Sequence, residues 1–349
     1  MSEAAENQRV PLDPEPQPVD PGPADDDIDS ALGDVSASKP PGIVHMTDRT
    51  PALQGDDLLS TSSLASSVFD YIQEHGRRYN GYGERTYVLP NDEMELDRLD
   101  LQHHLLKMTF GDRLTTYEPE QSKDIHNVLD IGTGTGIWAI EYGDAHPESI
   151  VLGVDVSPVQ PAFVPPNVRF EVMDVGQPWL FTTPFDFIFS RFMTGAIANW
   201  RQYLQECFDN LTPGGALEVQ DISFRLRCDD GSLPEDSAFR RWAGYMLEAS
   251  INLGCPLDSV DSVRELMIEI GFVDVEKRAY CWPMNQWPRD SRLKKIGVWT
   301  FHDFTASLSG ISLALFTRGL SWSPDELEVF LVDVRRDMKN TAYHAYWPM

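Results

Sequence analysis

The chain has 349 residues and a formal net charge of −27. A surface this acidic excludes a preformed nucleic-acid groove, which must be basic where it meets phosphates. No run reaches the ~20 apolar residues of a membrane span, and Met1-Ser2-Glu3-Ala4-Ala5-Glu6 lacks the apolar core of a secretory leader.

Cys207, Cys228, Cys255 and Cys281 lie far apart without a C-x-x-C pair. That spacing fits neither structural zinc nor a disulfide framework, and it assigns the protein to a reducing, intracellular compartment. Residues 1 to 60 hold thirteen Asp/Glu against three Lys/Arg and most of the proline tracts. Such a composition buries too little apolar area to offset chain ordering, so residues 1–62 are expected to be a disordered tail. Residues 63–126 are expected to form a helical, tyrosine-rich cap, and residues 127–349 the main domain.

In the cap, Ser63 to Gln73 has a helical pattern. Tyr71, Tyr79, Tyr82 and Tyr87 are interleaved with Gly76, Gly81 and Gly83; they either cover the domain or roof its pocket. A helix follows at Pro90-Asn91-Asp92-Glu93, with Asn91 as N-cap and acids in the first turn. His103 and His104 lie on it and are read as ordinary helix histidines.

From Asn127 strands and helices alternate, which calls for a parallel sheet covered by helices on both faces. The strands are Val128–Ile131, Ile150–Asp155, Val168–Met173, Phe185–Ser190 and Ala216–Gln220, with a sixth at about Val273–Tyr280. Helices run from about Asn199 to Leu211, stopping at Thr212-Pro213-Gly214-Gly215, and from about Ser259 to Ile270. An insertion after strand five, Ser223 to Pro256, carries Phe239, Trp242, Tyr245, Met246 and Ile251 at helical spacing. Trp282, Trp287, Trp299, Phe301 and Phe304 follow strand six, and Ser323-Pro324-Asp325-Glu326 starts the last helix.

The centre of this pattern is Asp130-Ile131-Gly132-Thr133-Gly134-Thr135-Gly136, between the first strand and the first helix of the domain. Glycines there permit a sharp turn and a close ligand, and the helix directs free N–H groups over the loop. Gly134 to Ala139 also satisfies the dinucleotide fingerprint G-x-G-x-x-A, so a nicotinamide dehydrogenase is one alternative. Asp130 opposes it, because a strand-end carboxylate repels a diphosphate and attracts an ammonium or sulfonium. Three acids, Asp130, Asp155 and Asp174, end the first three strands, at the edge where open parallel sheets bind ligands.

This D-x-G-x-G-x-G loop resembles the S-adenosylmethionine (SAM) site of class I methyltransferases. Further stretches resemble the LaeA-like fungal methyltransferases of secondary metabolism: Tyr82-Gly83 through Glu93, Asp97 to His104, Leu129 to Trp138, Ala198-Asn199-Trp200, Leu211 to Gly215, Gly319 to Pro324 and His344 to Pro348. The resemblance implies a Rossmann-like class I α/β sheet with an N-terminal helical cap and a helical insertion after strand five. It implies SAM as cofactor, held by Asp130, Gly132, Thr133, Gly134 and Gly136, by Asp155 and Val156 at the ribose, by Asp174 and Val175 at the adenine, and by Ser190 beside them. Arg191 and Phe192 adjoin that site.

The acceptor is a small molecule or a protein, and association with velvet-type regulatory proteins and nuclear residence are implied for some members. The chain stops soon after Trp347-Pro348, so the family's last antiparallel strand is expected to be short or missing. A SAM-binding regulator with little turnover is the second alternative. Methyl transfer from a sulfonium relies mostly on alignment and water exclusion. A base is needed only for a proton the acceptor cannot shed; His103, His302 and Tyr203 are candidates.

Overall fold

The computed structural model describes residues 71–81, 87–117 and 124–349. The expected acidic tail lies outside these residues, as do Tyr82 and the first part of the Ser63–Gln73 helix. The end of that stretch is extended instead: Ile72–Glu74 (β1) pairs antiparallel with Arg77–Tyr79 (β2). Helix Glu93–Thr109 (α1) is capped by Asp92, not Asn91. The Asp92 carboxylate accepts from the Glu95 N–H at 3.2 Å and also holds Arg77 at 2.6 Å. Asn91 instead donates to Ser157 Oγ at 3.2 Å, tying the cap to the main domain.

That domain is a five-stranded, wholly parallel sheet in the order β5-β4-β3-β6-β7. Its strands are Asn127–Ile131 (β3), Ile150–Asp155 (β4), Val168–Val172 (β5), Phe185–Arg191 (β6) and Leu211–Gln220 (β7). Parallel strands are buried on both faces, which is why the central ones read as continuous apolar runs. Alternate side chains serve opposite cores. Leu129, Ile131, Leu152, Val154 and Ile188 pack with Trp200, Tyr203, Leu204 and Cys207 of helix Trp200–Asp209 (α3). Val128, Val151, Phe187 and Phe189 pack with Trp138, Ala139 and Tyr142 of helix Ile137–Ala145 (α2). The Trp138 ring stacks on Phe189 at 3.8 Å.

A third core joins α1 to helices Ala238–Asn252 (α4), Ser291–Ala314 (α6) and Pro324–Met338 (α7). The α4 stripe is core at Phe239, Trp242 and Met246, whereas Ile251 faces out, 58 % exposed. Helix α7 starts with the expected Ser323–Glu326 capping box and Pro324. Helix α6, unforeseen in the sequence, is capped by Asp290, whose carboxylate accepts from Leu293 N–H at 2.8 Å.

One strand expectation changes. Helix Val263–Ile270 (α5) stops at Gly271, but 273–280 forms no strand. Val273 is 83 % exposed and Asp274 takes a positive φ of 53°, so the segment has no buried face to pay for pairing at the sheet edge. The last residues, Tyr346–Pro348 (β9), pair antiparallel with Cys281–Pro283 (β8), away from the main sheet.

Candidate functional site

Sheet order reverses between β3 and β6, and a cavity of about 390 Å³ opens there at the C-terminal ends of the strands. Ligands bind at such a switch point because the loops on either side diverge; the volume suits a small-molecule site. Across the edge, in sheet order, the cavity wall carries Asp174 after β5, Asp155 at the end of β4, Gly132 and Gly134 after β3, and Arg191 at the end of β6. Val156 and Val175 line it too.

Asp155 accepts the Gly134 N–H on one oxygen and the Ser157 N–H on the other, each at 2.9 Å. Burial pushes its carboxyl up to about 6 against these backbone donors, so it is ionised at neutral pH and fixed in direction. Asp174 closes a local turn by accepting the Gly176 N–H at 2.9 Å.

Asp130 is placed otherwise than its charge pattern suggests. It is 2 % exposed, does not line the cavity, and accepts the Thr133 hydroxyl at 2.5 Å. Burial drives its carboxyl up to about 6, while Thr133 and then Arg191 pull it back. Thr133 is accordingly part of the loop's interior. Gly136 also stays outside the cavity: it is the left-handed N-cap of α2, and an added Cβ would lie 2.5 Å from the Phe170 ring. Its glycine thus answers to packing against Phe170. Ser190 is fully buried beneath the wall and accepts the Tyr203 hydroxyl at 2.7 Å.

Arg191 Nη1 donates to His103 Nδ1 at 3.1 Å, since arginine has no acceptor. The His103 proton therefore sits on Nε2, which faces Glu141 Oε2 at 3.3 Å. Lys107 holds the same Glu141 at 2.8 Å. Burial and the Arg191 charge lower the His103 pKa to about 4, so the ring is neutral and serves as a prop. Arg191 itself is lowered to about 10 by burial and remains cationic, without a carboxylate in ion-pair contact among the described residues.

Of the three candidate bases, His302 is exposed and away from the cavity, and His103 lies behind Arg191. Tyr203 lines it, but burial raises its pKa well above 10 and its hydroxyl is engaged by Ser190.

The remaining wall comes from the cap, the insertion and α6 with the residue just beyond it, and sequence spacing did not single it out as a wall. Phe224, Met246, Leu257, Phe304, Ile311 and Leu315 make it apolar, and Tyr87, one of the cap tyrosines, contributes to it. Its polar part includes Arg98, Gln102 and Asp303. Arg98 grips Glu95 at 2.7 Å and approaches Asp303 Oδ1 at 3.4 Å. A helix-borne carboxylate reaching this wall from residue 303 leaves no trace in local spacing.

A parallel sheet with a glycine loop after β3, an aspartate ending β4 and a cavity at the switch point defines a class I methyltransferase. Residues 101–277 match the methyltransferase domain family, and the chain belongs to it, within the LaeA-like fungal methyltransferases of secondary metabolism. The chain is 38 % identical over 313 residues to methyltransferase pytC of Aspergillus terreus, covering 89 % of this chain and 95 % of that one. It is 34 % identical over 278 residues to secondary metabolism regulator LAE1 of Cochliobolus heterostrophus, covering 78 % and 91 %. Among solved structures it resembles phosphoethanolamine N-methyltransferase 2 of Haemonchus contortus in complex with S-adenosyl-L-methionine, at 17 % identity, TM-score 0.40, 76 % of this chain and 53 % of that one. SAM is the cofactor of this enzyme class. No helix among the described residues is long and apolar enough to cross a membrane.

Proposed function

We propose that the chain transfers methyl from SAM to a small, largely apolar molecule, with the cofactor laid across the strand ends. Its adenine would meet Asp174 and Val175, its ribose hydroxyls Asp155, its methionine part the Gly132–Gly134 backbone, and its carboxylate Arg191. The observation that carries this is the order of groups along the edge: two carboxylates, a bare backbone turn, then a guanidinium with no ion-pair partner among the described residues. That order matches the chemistry of the cofactor from nucleoside to amino acid. Asp130 serves from beneath, holding Thr133 and adding negative charge under the sulfonium. Bound SAM supplies an activated methyl group; the chain supplies alignment and a dry, apolar lobe.

Asp155→Ala is expected to lose about 1.5–3 kcal/mol per charged hydrogen bond, weakening SAM affinity about ten- to a hundredfold by calorimetry. Ribose hydroxyls favour the ionised carboxylate, so wild-type affinity is full above about pH 6 and declines as acid protonates Asp155. The alanine variant should lack that component; unchanged affinity and pH response would remove the ribose assignment. Arg191→Met, which keeps length and removes charge, is expected to raise the SAM Kd at least tenfold, and adenosine affinity should barely change. Equal weakening of both ligands would move the carboxylate elsewhere.

A regulatory reading is favoured by one finding, the relatives called secondary metabolism regulators. In it a velvet-type protein would be the partner or acceptor, and the nucleus the site of action. Labelled methyl on protein alone, with the small-molecule fraction unlabelled, would select this reading; label in small molecules selects the first.

A further inference from the structure

Among the described residues, seven titratable side chains line the cavity: Tyr87, Arg98, Asp155, Asp174, Arg191, Tyr203 and Asp303. Two are cations. Tyr203 is tied to Ser190 and held protonated, and burial likewise raises Tyr87. Asp155 and Asp174 stand at strand ends and are taken by the nucleoside. Among the described residues Asp303 alone is a carboxylate on the acceptor wall, one turn from Ser307 and beside Phe304.

Its surroundings hold it in place without neutralising it. Arg98 is shared with Glu95, which takes the shorter contact, 2.7 Å against 3.4 Å to Asp303. Two buried carboxylates thus face one guanidinium. Gln102 hydrogen-bonds the Asp303 carboxylate as well. Among the described residues, the charged groups that act on it are Arg98 and Glu95, both on α1; Tyr87 lies beside Arg98. A buried excess negative charge is costly unless something at the site uses it.

We propose that Asp303 is the general base of the transfer, and that the acceptor is a small hydrophobic molecule whose nucleophile is an acidic hydroxyl, phenolic or enolic. This rests on the cofactor placement proposed above. The acceptor oxygen forms its bond to the methyl carbon as that carbon separates from sulfur, whose electron pair stays with S-adenosylhomocysteine. The hydroxyl proton passes to the Asp303 carboxylate and leaves to solvent. An amine would attack through its free lone pair without such a base, whereas a hydroxyl gains from one. Burial places the Asp303 carboxyl near 6, above the ordinary range, which makes it a stronger base yet still ionised at neutral pH.

The test uses the full chain, labelled SAM, and two probes of similar size, 4-ethylphenol and 4-nitrophenol, in mildly alkaline buffer where the second is already largely ionised. Asp303→Asn is expected to lower methyl transfer to 4-ethylphenol by about a hundredfold or more. It should lower transfer to 4-nitrophenol less than about tenfold and leave SAM affinity unchanged, because an ionised acceptor needs no base. Asp303→Glu, which keeps the carboxylate, should retain clearly more 4-ethylphenol turnover than the asparagine variant and covers the case in which asparagine does not fold. Equal losses on both phenols, or no methylation of either by a wild-type chain that binds SAM, would overturn the base and its substrate class. A wild-type chain that fails to bind SAM would instead fell the cofactor placement, and this inference with it.

Discussion

Gly136→Ala is expected to destabilise the protein by about 2–5 kcal/mol, the sum of two separate costs. Gly136 has φ = 81°, a left-handed conformation that costs an L-residue ~1–2 kcal/mol. The new methyl would also lie 2.5 Å from Phe170 Cζ. That ring has little room to retreat, because its adjoining Cδ1–Cε1 edge fills the notch over Gly153, where an added Cβ would lie 2.6 Å away. Overpacking of this kind adds ~1–3 kcal/mol. Urea unfolding reads the change directly. Gly134→Ala is the control, since its methyl would meet only Leu99 Cδ1, at 3.2 Å. A midpoint for Gly136→Ala no lower than that of the control would show that Phe170 yields.

Trp347→Ala is expected to cost about 3–5 kcal/mol and to disable the acceptor lobe together with stability. Trp347 is fully buried and lies against Phe224, Phe239, Trp242 and Phe304, stacking on the last at 5.4 Å. Phe224 and Phe304 both line the cavity, so a void behind them loosens its wall. The indole N–H has no hydrogen-bond partner among the described residues. Trp347→Phe therefore forfeits volume but no hydrogen bond, and should cost less than the alanine change. Thermal unfolding of both variants, with SAM titration below the transition, separates the effects. The cofactor edge lies on the sheet, so SAM affinity should outlast loss of the lobe; a Trp347→Ala chain with wild-type stability would refute the packing argument.

The same contrast runs through the whole molecule. The central strands were legible because parallel strands bury both faces and so spell continuous apolar runs, and the Ser323–Glu326 cap because its partners are three residues apart. Helix α6 was hidden. Its buried face holds Thr300, Asp303 and Ser312 among the apolar residues, and these blur the helical period. Val273–Tyr280 misled in the opposite way, since alternating valines look like a strand whether or not a neighbour exists to pair with them.

By itself the sequence determined the sheet, the glycine turn and the acids that end its strands, because each depends on neighbours a few residues away. The tertiary structure alone decided how those acids divide their work. Asp155 reaches the cavity and Asp130 turns under the loop to Thr133, a choice made by which donors crowd each carboxylate. It also brought His103 to Arg191 and Asp303 to Arg98, across 88 and 205 residues of chain. Contacts of that span are set by how helices pack on a sheet, and no local spacing encodes them.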